Sequence, residues 1–192
     1  MILRHESSSF VPNMWVFPGG ALEREDGPGG DLEALKRAAT REVREETGIE
    51  VAGELVWTSR WITPAGMPKR FDTWFFLAAV PRDTTVVLHD KEAVEYTWIS
   101  PADALGKNRD EFPMVFPTVK NLEAISRFTT VGDLLRSRRG AKIEAAAWVS
   151  PTMDAVNVAL VDGRGKPPVP CAVKTYVKGD RRSLSIAAAS VI

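Results

Sequence analysis

Glu42, Glu45 and Glu46, in the stretch "REVREETGIE" (41–50), put three carboxylates within five positions, with Arg41 and Arg44 between them and Gly48 behind. On a helix turning 100° per residue, the three fall within about a third of the circumference. Like charges three or four apart destabilise a helix by a few tenths of a kcal/mol each. Arg41 to Glu45 is a compensating i,i+4 contact, although in the weaker orientation. Two readings follow. One is an ion-paired, solvated helix face. The other is a hard-oxygen site of the kind that Mg²⁺ or Mn²⁺ prefers. The upstream "FPGG" (17–20) favours the second. Glycines let backbone approach a ligand closely, and a freed carbonyl at Gly20 is a further oxygen donor.

The elements that must hold these groups are legible around them. "MWVF" (14–17) reads as a short buried strand and "EREDGPGGD" (23–31) as a loop. The spacing of Leu32, Leu35, Ala39 and Val43 predicts a helix from Asp31 to Thr47, capped by Asp31 and stopped by Gly48. "ELVWTSRWIT" (54–63) and "RFDTWFFLAAV" (70–80) are β-branched and aromatic, with "TPAGMPK" as the turn of a hairpin. "AVEYTWIS" (93–100) is a further strand and "PADAL" a Pro-led helix start. Helices are expected over 115–127 and 130–138. In the last fifty residues "EAAAWVS", "AVNVALVDG", "CAVKTYV" and "SLSIAAASVI" read as strands between turns. Interleaved strands and helices indicate an α/β or α+β class, and the hairpins argue for a mixed sheet.

Composition narrows the function classes. The 192 residues suit one domain with a core of useful size. Lys+Arg and Asp+Glu balance at 25 each, so no bulk field points to nucleic acid or to an anionic membrane. One cysteine, Cys171, excludes an intrachain disulfide and a cysteine metal cluster, and is read as a small buried side chain. With only His5 and His89, a histidine-rich metal site is equally disfavoured. "MILRHESSSF" lacks the apolar core of a signal peptide, and "WFFLAAV" (74–80) is too short to span a bilayer. A cytoplasmic location is the expectation.

Residues 27–49, "GPGGDLEALKRAATREVREETGI", resemble the Nudix box, with every fixed position filled: Gly27, Glu33, Arg41, Glu42, Val43, Glu45, Glu46, Gly48 and Ile49. The upstream "VFPGG" is similar to the usual lead-in of that family, whose second glycine is normally the box glycine itself. Here Gly20 stands thirteen residues before Glu33, a loop about seven residues longer than usual. The expectation is that Gly20 keeps the structural role and that Gly27 matches by coincidence. The resemblance implies an α/β/α sandwich and metal-dependent hydrolysis of a diphosphate linked to another moiety. It makes Glu42, Glu45 and Glu46 ligands for Mg²⁺ or Mn²⁺, one of them acting on water. Arg41 would orient a glutamate, and Glu33 would brace the loop–helix junction. Glu92, six residues before Trp98, is the candidate for an additional catalytic carboxylate, with Glu95 as its competitor.

"WTSRWITPAGMPKRFDTWFFLAAV" resembles a narrower branch, the peroxisomal coenzyme A diphosphatase-like proteins, over roughly residues 14–127. That implies coenzyme A or an acyl derivative as substrate. Against it, Ser9 and Asn13 stand where many such enzymes carry Arg and Gly, and the chain ends "SVI" rather than in a peroxisomal tripeptide. Nucleoside diphosphate sugars and dinucleoside polyphosphates stay open. Trp57, Trp61 and Phe71 are candidates to stack a base, and Arg60, Lys69 or Arg70 to hold a phosphate. Aromatics alternating on strands are more often core.

The chain starts where the family's second strand would lie, so its first strand is expected to be missing. Residues 183–192 are a candidate to occupy that place, in this molecule or a neighbour. A helix or an edge strand elsewhere is the slightly preferred alternative. We divide the chain into a Nudix domain (1–139) and a strand-rich extension (140–192) packed on it. The expected partner is a small diphosphate, with no nucleic acid and no membrane, and a homodimer is compatible. The rival function is a nucleotide-binding sensor of the same fold with weak catalysis, although such modules usually lose box carboxylates.

Overall fold

The structure is a computed structural model. It describes residues 1–8, 11–28, 31–64, 69–88 and 93–147, and the backbone of three further strands at 158–162, 172–176 and 184–191. Cys171 lies outside the described residues.

Helix α1 (Leu32–Thr47) begins and ends for the reasons its sequence suggests. Asp31 Oδ1 accepts the Ala34 N–H at 2.6 Å, and Gly48, at φ 68°, closes the last turn by donating to the Arg44 carbonyl at 2.8 Å. Its buried stripe is Ala34, Leu35, Ala38, Ala39 and Val43. The small alanines allow the helix to lie close on the sheet.

That sheet is built on β3 (Val56–Ile62) and β4 (Asp72–Ala79), an antiparallel pair with a register shift between Trp57 and Ser59. Alternation along β4 sends Phe75 and Leu77 into one core and Phe76 and Ala78 into another. The first core also takes Trp15, Phe17, Phe112, Leu122, Ile125 and Leu134, from β2 (Trp15–Val16), α3 (Phe116–Ile125), α4 (Val131–Arg138) and loops. The second takes Leu35, Ala38, Ala39 and Val43 of α1. Burial on both faces explains why this strand reads as a nearly continuous apolar run. The result is an α/β/α sandwich.

A smaller antiparallel sheet in the order β2–β1–β5 joins β1 (Ile2–Arg4) to β2 and β5 (Ala93–Tyr96). β5 stops at Tyr96, four residues before the expected end. Helix α2 (Pro101–Gly106) has the expected proline start, with Ser100 as its cap.

Of the last fifty residues, β6 (Ala145–Ala147) runs parallel to β3, and β7 (Val158–Asp162) pairs with β8 (Ala172–Tyr176). Strand β9 (Leu184–Val191) lies parallel to β4 along its whole length, from Asp72↔Leu184 to Ala79↔Val191. The central sheet therefore has the order β6–β3–β4–β9 and is mixed. The preferred expectation, a placement elsewhere, is replaced by strand addition to β4 within this chain. The composition of "SLSIAAASVI" gives strand character, but pairing partners are non-local and are not written in it.

The hairpin tryptophans are partly buried and pack against the two cores. Trp57 stacks on Trp74 with centroids 4.5 Å apart, and Trp61 meets Phe116 edge-on at 5.8 Å.

Candidate functional site

Two successive loop segments fold against α1 to build the site. The first is the end of β2: the Gly19 N–H donates to Glu46 Oε2 at 2.7 Å, and a Cβ added at Gly20 would lie 2.2 Å from Glu42 Oε1. A side chain at this position would have to displace the Glu42 carboxylate. The second is a 3-10 turn at Arg24–Asp26, in which Asp26 accepts the Glu23 N–H at 2.8 Å. Gly27 follows at φ 112°, with the Arg37 guanidinium packed where a Cβ would be. Gly27 therefore has its own conformational requirement.

Arg41 ties these segments together. Its Nε and Nη2 fork onto Asp26 at 3.1 and 2.9 Å, Nη2 also reaches the Ala21 carbonyl at 3.0 Å, and Nη1 reaches Glu42 Oε1 at 2.9 Å and Glu45 Oε2 at 3.0 Å. Hydrogen bonding to Asp26 first, then to Glu42 and Glu45, raises its pKa despite burial, so it is charged at every accessible pH. Burial alone would raise the pKa of Asp26, but the Arg41 hydrogen bond, the Glu23 N–H and the Arg41 and Arg37 charges together hold it below the ordinary carboxylate value. Asp26 escaped the sequence reading because its partner lies fifteen positions away across a loop.

Of the three glutamates, Glu42 and Glu46 are buried and Glu45 is half-exposed. Arg4 of β1 faces Glu46, with Nη1 3.7 Å from Oε1. The linked cluster includes the carboxylates of Glu25, Asp26, Glu42, Glu45 and Glu46 and the guanidiniums of Arg4, Arg37 and Arg41. Carboxylate oxygens of this kind fit a hard divalent cation by chemistry. Among the described residues no three acidic, histidine or cysteine side chains already converge on one point. Ligation therefore requires side-chain rotation, and Glu45, half-exposed, has the solvent space for it.

The other expected site residues are differently placed. Arg60 forks onto Asp72 at 2.8 and 2.6 Å and lies over Trp74, 4.8 Å from the ring centroid. Arg70 Nε donates to the Thr63 carbonyl at 3.1 Å, and Trp61 packs on the first core. Glu33 is exposed and pairs with Lys36 on its own helix at 2.9 Å, so it does not brace the junction. Glu95 is exposed opposite Leu3 on β5. Glu92 lies outside the described residues.

A cavity of about 460 Å³ opens at Phe17 and Pro18, the two residues before Gly19. Trp98, Leu122 and Phe128 make it largely apolar, and Arg82 is the charged side chain in its wall.

A model of the NUDIX domain family matches residues 1–122. The chain belongs to the Nudix family. It is 28% identical over 141 residues to "Putative nudix hydrolase 7" of Caenorhabditis elegans, covering 55% of this chain and 47% of that protein. The chain thus spans about half the length of that relative. Its fold is similar to the crystal structure of a NUDIX hydrolase from Alicyclobacillus acidocaldarius, with a TM-score of 0.64 and 24% identity over 70% of this chain and 86% of that one. A separate short likeness, 65% identical over 34 residues, is to Ribonuclease HII of Agrobacterium fabrum, covering 17% of this chain and 16% of that protein. Among the described residues, no helix of this Nudix chain is long and apolar enough to cross a membrane.

Proposed function

We propose that this Nudix chain hydrolyses the phosphoanhydride bond of a nucleoside diphosphate linked to another moiety, using Mg²⁺ or Mn²⁺. The observation that carries the reading is the set Glu42, Glu45 and Glu46 gathered at the end of α1 against Arg41 and a glycine backbone. Glu42, Glu45 and Glu46 would hold the cation, with the Gly20 carbonyl as a further oxygen donor. A divalent ion bound there neutralises diphosphate oxygens and lowers the pKa of coordinated water. Arg41 is saturated by protein acceptors, so its part is to aim Glu42 and Glu45, not to touch substrate. Glu45, half in solvent, is the first candidate to take a proton from the attacking water. Glu92 is the second candidate for that step.

For the attached moiety, coenzyme A or its acyl derivatives are the first choice. The apolar cavity beginning at Phe17 and Pro18 suits an acyl or pantetheine arm better than the hydroxyls of a sugar. Arg60 and Arg70, already engaged by Asp72 and Thr63, are weaker phosphate ligands than their sequence positions promise. The short ribonuclease likeness covers less than a domain and carries no argument about activity.

Incubation with coenzyme A, ADP-ribose, NADH and diadenosine polyphosphates in Mg²⁺ tests the reading. Turnover should fall roughly a hundredfold or more in Glu45→Gln and Glu46→Gln, the scale expected for losing a general base or ligand. Binding of a nucleotide without turnover, unchanged by either substitution, would favour the sensor instead.

A further inference from the structure

Arg4 closes β1, whose backbone it fixes by donating its own N–H to the Met14 carbonyl at 3.1 Å. Its side chain is 16% exposed, and the Nη1 distance of 3.7 Å to Glu46 Oε1 is an ion pair but too long for a hydrogen bond. Nε is buried and has no hydrogen-bond partner, and the guanidinium donates no hydrogen bond among the described residues. The neighbouring cations differ. Arg41 spreads its donors over Asp26, Ala21, Glu42 and Glu45, and Arg37 Nε is spent on the Asp26 carbonyl at 2.6 Å.

A guanidinium carries five donors, and buried donors are rarely left without acceptors. An arginine that served only to neutralise Glu46 would sit at 2.7–2.9 Å, with both oxygens in its fork. Glu46 takes the Gly19 N–H on its other oxygen, and Arg4 stays outside hydrogen-bond distance of Oε1.

We infer that Arg4 is a substrate-binding residue, whose unspent donors take a non-bridging oxygen of the diphosphate beside Glu46. This rests on the diphosphate reading above. It assigns the phosphate contact to the first strand of the chain and not to the hairpin cations Arg60 and Arg70. It also distinguishes two arginines by role: Arg41 shapes the cluster, and Arg4 meets the substrate.

The test compares wild type, Arg4→Gln and Arg4→Lys. Methylenediphosphonate, which has no cleavable P–O–P bridge, is titrated calorimetrically in the presence of Mg²⁺. Mn²⁺ is titrated alone, and KM and kcat are measured on the best substrate of the panel. Loss of charge-assisted hydrogen bonds predicts a roughly tenfold to hundredfold weaker probe affinity and a matching rise in KM for Arg4→Gln. Arg4→Lys should fall between, since an ammonium keeps the charge but not the fork. Mn²⁺ affinity without probe should change less than about threefold. In ¹⁵N spectra, the Arg4 Nε–H resonance, identified by its absence in Arg4→Lys, should shift on adding probe, a readout that survives if Arg4→Gln does not fold. Unchanged probe affinity and KM, or a fall in Mn²⁺ affinity as large as the fall for the probe, would overturn the inference while leaving hydrolysis intact. A wild type that neither binds the probe nor cleaves any diphosphate would instead remove the diphosphate reading itself.

Discussion

Arg41 and Asp26 decide the charge state of the site. Asp26 is 3% exposed, and removing one member of a buried ion pair leaves the other uncompensated. Asp26→Asn should therefore lower unfolding stability at neutral pH by roughly 3–5 kcal/mol in urea titrations. The pH dependence has a definite sign. The folded pKa of Asp26 is below its unfolded value of about 3.9, so its contribution is present above that pH and is lost as pH falls through the folded value. The variant should lack this component, and its stability should decline less steeply than wild type below about pH 4. At this scale the sequence was legible where spacing is local. Glu42, Glu45 and Glu46 share a face because a helix must place them so. Asp26 and Arg4 were not legible, because loop closure and strand pairing bring them in from far along the chain.

Helix α1 and the two turns before it test whether each glycine serves the fold or the site. Gly48 holds φ 68°, and a Cβ there would sit 3.3 Å from that of Val87. Gly48→Ala should cost about 1 kcal/mol of stability with little effect on the rate constant. Gly20 has the opposite profile, because what its Cβ would strike is the movable carboxylate of Glu42. Gly20→Ala should leave the thermal midpoint nearly unchanged and reduce kcat, by as much as about a hundredfold if Glu42 shifts by an ångström. Calorimetry and steady-state kinetics on both variants check this crossing of effects. Helix ends were readable from Asp31 and Gly48, since caps act within a turn. The destinies of Trp57 and Trp61 were not, because aromatic alternation looks the same whether the facing partner is a ligand or, as here, Trp74 and Phe116.

Across the whole molecule, the central sheet is covered on both faces, and its β4 edge is covered by β9. An open β4 edge would present a full row of unpaired backbone groups. Deleting residues 184–191 should therefore produce concentration-dependent association in light scattering, together with a lower unfolding midpoint. We propose that residues 140–192 pack on the domain formed by 1–139, so the intact chain should unfold in one transition. The mixed sheet was readable from the order of strands and helices, and the sandwich came only through the resemblance of residues 27–49 to the Nudix box. Strand order was not, because parallel partners such as β4 and β9 are set by which edges remain open after the rest has packed.

The central claim is that the acidic turn of α1, held ready by Arg41, binds a divalent cation. Titration of Mn²⁺ followed by water-proton relaxation tests it most directly. The account predicts saturable binding by wild type that is weakened at least tenfold by Glu45→Gln and by Glu46→Gln, as expected when an oxygen ligand is lost from a hard-cation site. Mn²⁺ affinity equal in all three proteins, or no saturable binding by wild type, would contradict it.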